Sequence, residues 1–64
     1  MVKINGEMYD YAGLTIKEML EKLEFSTERI ATEINGDIVT KANYDTTYLK
    51  DEDTVEVVSF VGGG

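Results

Sequence analysis

The chain has 64 residues, enough for one small domain with a core of limited size. It contains no cysteine and no histidine, which excludes disulfide bracing, thiolate chemistry and the commonest general base and transition-metal ligand. Its 13 acidic residues against 6 basic ones give a formal charge of -7, which repels nucleic-acid phosphate and anionic lipid and favours a partner with a basic docking surface.

The opening stretch, "MVKINGEMYD", has no apolar signal core, and no apolar run approaches membrane-spanning length, so the expected compartment is the cytoplasm. "MVKI-NG-EMYDY" predicts a hairpin. Asn5-Gly6 is the favoured pair for a type I′ turn, whose central residues both need positive φ. That register pairs Ile4 with Glu7 and Val2 with Tyr9, and places Val2, Ile4, Tyr9 and Tyr11 on one inward face.

"GLTIKEMLEKLEF" predicts a helix with a complete start signal. Thr15 is a good N-cap, Glu18 completes a capping box, and Leu14 with Met19 has the spacing of a hydrophobic staple. Ile16, Met19, Leu20 and Leu23 form one apolar stripe. "RIATEI-NG-DIVTK" repeats the hairpin logic around Asn35-Gly36. "ANYDTTYLKDED" is rich in turn formers, with Leu49 as its apolar plug. "TVEVVSFV" is the last strand, with Val55 and Val57 on one face and Glu56, Val58 and Phe60 on the other.

The order is hairpin, helix, hairpin, irregular crossing, strand. One helix covers only one face of a sheet. The first and last strands sit well as parallel central neighbours, with the helix in the crossover between them. The fold class is therefore α+β: a β-grasp, ubiquitin-like arrangement with a mixed four- to five-stranded sheet and one helix packed on one face. Residues 1–61 form the domain and residues 62–64 a flexible glycine tail.

Catalytic constellations are scarce. "DED" at Asp51 to Asp53 lacks the spaced ligands and glycine of a calcium loop and reads as a solvated turn, so no metal site is assigned. The four tyrosines, without an arginine cluster, read as core and rim rather than a base-stacking platform. The tail is the remaining feature. At an average glycine usage of about 7%, three terminal glycines arise by chance in about one chain in 3,000. A tail without Cβ atoms is slim enough to thread a narrow channel. Three extended residues carry the α-carboxylate of Gly64 about 10 Å beyond the strand. A carboxylate is unreactive until another enzyme activates it, most simply as an acyl-adenylate from ATP. The chain is then a co-substrate and not an enzyme.

"INGE", "TIKEML", "TEINGDIV" and above all "LKDEDTVEVVSFVGGG" make the whole chain resemble the ThiS-type sulfur carriers of thiamine biosynthesis. The resemblance implies that a ThiF-type adenylating enzyme activates Gly64 with ATP. A persulfide derived from a cysteine desulfurase then supplies sulfur, leaving a thiocarboxylate. A ThiG-type thiazole synthase takes that sulfur into the thiazole ring. The chain itself binds no cofactor in this scheme. Gly63 and Gly64 match the family motif, and Gly62 extends the slim tail. Two positions depart from the family pattern. Glu52 replaces the glycine of "DGD", and the turn is expected to accept it by avoiding positive φ. Thr32 replaces an apolar strand residue, which puts that strand's inward face in question.

Val58 and Phe60, on the face without a helix and beside the tail, are the expected partner-docking residues. Three other readings stay open. The same chemistry serves the small subunit of molybdopterin synthase and carriers for transfer-RNA thiolation or amino-acid biosynthesis. A ubiquitin-like conjugator would use Gly64 to modify lysines. An interaction module would carry an inert tail.

Overall fold

The computed structural model describes residues 1–26 and 28–60. Its elements are β1 (Val2–Ile4), β2 (Glu7–Tyr9), α1 (Ile16–Lys22), β3 (Ile30–Ile34), β4 (Asp37–Val39), a 3₁₀ turn (Lys41–Asn43) and β5 (Thr54–Ser59). They build a 5-stranded mixed sheet in the order β2-β1-β5-β3-β4. β1 and β5 are parallel neighbours at its centre, and the other pairings are antiparallel. This is the β-grasp plan expected from the sequence.

Both Asn-Gly pairs form the expected turns. Asn5 and Gly6 have φ of 50° and 87°, and Asn35 and Gly36 have 52° and 88°. The first hairpin pairs Val2 with Tyr9 and Ile4 with Glu7. Val2 and Ile4 are buried, while Tyr9 and Tyr11 pack at the margin of the core with ring centroids 5.0 Å apart.

The start of α1 leaves none of its first amides unpaired. Thr15 Oγ1 accepts from the Glu18 amide at 3.1 Å, and Glu18 Oε1 accepts from the Thr15 amide at 2.9 Å, completing the capping box. The Ile16 and Lys17 amides donate to the Thr47 and Tyr44 carbonyls at 3.0 and 2.9 Å, which fastens the irregular crossing to the helix. Ile16, Met19 and Leu20 are fully buried, each contributing about 1.5–3 kcal/mol of apolar transfer free energy.

The helix is shorter than its sequence pattern. It stops at Lys22 because Glu24 turns left-handed, at φ 61°. The Glu24 amide then donates to the Glu21 carbonyl (3.2 Å) and the Phe25 amide to the Leu20 carbonyl (2.9 Å). This is a Schellman ending with glutamate in the glycine position. Phe25 folds back onto the core instead of extending the helix.

The core joins Val2, Ile4, Ile16, Met19, Leu20, Tyr44, Leu49, Val55 and Val57. Leu49 is the plug its sequence position suggests. One sequence expectation is corrected, and the question over Thr32 is answered. Glu52 does not avoid positive φ: it sits at 72° in a turn closed by the Asp53 amide on the Lys50 carbonyl at 3.1 Å. Thr32 faces fully inward despite its hydroxyl, because it lies opposite Val57 and Val39 in register.

Candidate functional site

β5 is the element that leads to the glycine tail, and it is held from both sides. β3 pairs with it from Val55 to Ser59, and the Phe60 amide still donates to the Arg29 carbonyl at 2.7 Å. β1 pairs with only its first part, Thr54 and Val55. Beyond that point the turn carries the β1 backbone away, and a side chain continues the ladder. Asn5 Oδ1 accepts from the Val57 amide at 2.8 Å, and Asn5 Nδ2 donates to the Val57 carbonyl at 3.2 Å.

The other hairpin repeats the device. The Asn35 amide donates to the Thr54 carbonyl at 2.7 Å, and Asn35 Oδ1 accepts from the Thr54 amide at 3.0 Å. Asn35 Nδ2 reaches the Asp53 carboxylate at 3.0 Å. Each asparagine therefore has two roles: it takes the positive φ of its turn and it grips β5. Reading "NG" as a turn signal found the first role and missed the second.

The acidic turn before β5 is structural. Asp53 Oδ2 accepts from the Lys50 amide at 2.8 Å. Asp51 pairs with the Met1 ammonium. That contact holds the Asp51 carboxyl below its ordinary range and raises the amino group above its own. Among the described residues no group of three acids is placed to hold a metal ion. None of their helices is long and apolar enough to cross a membrane.

The sheet face opposite α1 is open. Val55 and Val57 point into the core, while Glu56, Val58 and Phe60 point outward. Val58 is 48% exposed and Phe60 56%. The structure thus brings the two expected docking residues together at the end of β5, with Ala31 opposite Val58. The tail residues Gly62, Gly63 and Gly64 lie outside the described residues.

The ThiS family model matches residues 2–64, which includes the glycine ending. The sulfur carrier protein ThiS of Bacillus subtilis is 36% identical, with all of both chains covered. A thiazole synthase of Magnetococcus marinus is 38% identical over 98% of this chain, which spans 20% of that longer protein. The crystal structure of the thiamine biosynthesis protein ThiS from Geobacter metallireducens superimposes with a TM-score of 0.80 at 34% identity, covering 98% of this chain and 97% of that one.

Proposed function

Because the chain belongs to the ThiS family, we propose that it is a sulfur carrier of thiamine biosynthesis, acted upon by enzymes and not itself a catalyst. The observation that carries this reading is the family match running through Gly64, in a chain with no histidine or cysteine of its own. A ThiF-type adenylating enzyme joins the Gly64 carboxylate to AMP from ATP and releases pyrophosphate. The terminal sulfur of a desulfurase-derived persulfide attacks the acyl carbon and AMP leaves. A second thiol then cleaves the sulfur–sulfur bond, which leaves the thiocarboxylate on Gly64 and a disulfide on the donor side.

A ThiG-type thiazole synthase is the proposed acceptor. The segment of the Magnetococcus thiazole synthase that resembles this chain favours that pathway over molybdopterin or transfer-RNA thiolation. Gly62 and Gly63 would thread the partner's channel, since neither adds a Cβ. Val58 and Phe60 would seat the domain against the partner.

Intact-mass analysis of the chain from its native host tests the reading. An oxygen-to-sulfur exchange localised to Gly64 is expected under thiamine starvation. Its persistent absence, or lysine adducts in its place, would overturn the proposal. Deleting Gly64 is expected to abolish sulfur loading without altering the melting temperature. Phe60→Ala is expected to weaken binding to the adenylating enzyme and leave the fold intact. Equal affinities by calorimetry would remove Phe60 from the docking surface.

A further inference from the structure

The open face of the sheet carries an unneutralised pair of like charges. Glu33 on β3 stands directly opposite Glu56 on β5. The Phe60 amide bonds to Arg29 and the Asn35 amide to Thr54, so the alternation makes Glu33 and Glu56 a hydrogen-bonded pair. Their Cα atoms are then about 5.5 Å apart, and like charges so placed oppose sheet formation. Among the described residues no lysine or arginine nitrogen comes within 4.0 Å of either carboxylate. The cations on this face stand elsewhere: Lys3 is opposite Thr54, and Arg29 is level with Phe60.

Two sides of the pair are apolar, and the row on its other side holds Asn35 and Thr54. Ile38, 72% exposed, lies beside Glu33 on β4. Val58 and Ala31 form the next row of the same face, followed by Phe60. The repulsion is thus set at the edge of an exposed apolar patch. A partner surface covering that patch would remove water from around the carboxylates and make their mutual repulsion worse unless it brought positive charge with it.

We infer that Glu33 and Glu56 together receive one cationic side chain, arginine or lysine, from the protein that docks on Val58 and Phe60. The inference rests on the carrier reading and adds the partner's chemistry to it. A guanidinium has enough donors to bond both carboxylates at once, and the aliphatic stem that carries it can lie on the flanking apolar side chains. A second copy of this chain is a poor occupant. A two-fold contact on this face would bring four carboxylates together and oppose two charges of -7.

The test compares wild type with the double variant Glu33→Gln, Glu56→Gln. Relief of the repulsion is expected to raise the melting temperature of the free protein by about 2–4 °C. Calorimetric binding to the adenylating enzyme of the same host is expected to fall about tenfold, with a shallower dependence on salt between about 50 and 300 mM. A more stable protein that binds less well is a signature a purely structural role cannot produce. Wild-type affinity and salt dependence in the variant would overturn the inference, as would weaker binding accompanied by lower stability. A wild-type dimer in sedimentation that Phe60→Asp dissociates would overturn it in favour of self-association. Failure of the carrier reading is separately visible: the wild-type chain would gain no sulfur with that enzyme, ATP and a persulfide donor. Sulfur gain by wild type together with equal binding of the variant would overturn this inference alone.

Discussion

Two glutamates hold backbone conformations that favour glycine. Glu24 ends α1 at φ 61°, and Glu52 turns the chain into β5 at 72°. The left-handed region costs a residue with a Cβ about 1–2 kcal/mol, partly offset because glycine loses more chain entropy on folding. Glu24→Gly and Glu52→Gly are each expected to stabilise the protein by a net ~0.5–1 kcal/mol, read as a higher urea midpoint at unchanged slope. Thr32 adds a third residue-scale cost. Its hydroxyl is fully buried and finds no hydrogen-bond partner among the described residues. Thr32→Val keeps the β-branched shape and removes the orphan. It is expected to gain ~1–2 kcal/mol in the same titration.

At the scale of elements, the asparagines of the two turns bind the hairpins to β5. In Asn5→Gly the turn keeps its positive φ, but the Val57 amide and carbonyl lose their partner. A cost of about 1–2 kcal/mol is expected, with loss of hydrogen-exchange protection at the Val57 amide ahead of its neighbours. Retained protection at Val57 would show that the Asn5 side chain does not hold the strand. The hairpins, the capping box and the facing of β5 were legible because each depends on a few adjacent residues: "NG", Thr15 with Glu18, and the alternation from Val55 to Phe60. The grip of Asn5 on Val57 spans 52 positions, and no local pattern records it. The end of α1 was overrun because the apolar stripe continues through Leu23 to Phe25, whereas the stop depends on the sign of φ at Glu24. Neither the sign of φ at a glutamate nor the partner of a buried hydroxyl follows from residue type. The parallel pairing of the first and last strands was read from their patterning and reinforced by the family resemblance, since patterning alone does not order five strands. In the candidate site, the outward pair Val58 and Phe60 was legible from alternation, but the opposition of Glu33 and Glu56 required the register between β3 and β5.

For the molecule as a whole, charge acts on folding and on association with the same sign of screening and opposite outcomes. A formal charge of -7 sits on a body whose radius of gyration is 11.0 Å. At about 10 mM salt the Debye length is roughly 30 Å, so every carboxylate acts on every other, and at about 150 mM it shrinks to roughly 8 Å. Self-repulsion is weaker in the expanded unfolded chain, and low salt therefore penalises the folded state. The local ion pair of Met1 and Asp51 runs the other way. It is one exposed contact of the kind that contributes little, and screening it cannot offset relief of the general repulsion. Raising salt from about 10 to 150 mM is expected to lift the melting temperature by a few degrees, while the same change slows association with a basic partner. Substituting Glu33 and Glu56 by glutamine should blunt both responses, because it removes charge from the docking face and from the sheet centre together. Scanning calorimetry of the free chain and stopped-flow association across one salt series measure the two slopes. A melting temperature that stays level or falls as salt rises would mean that the folded state is not limited by its own charge.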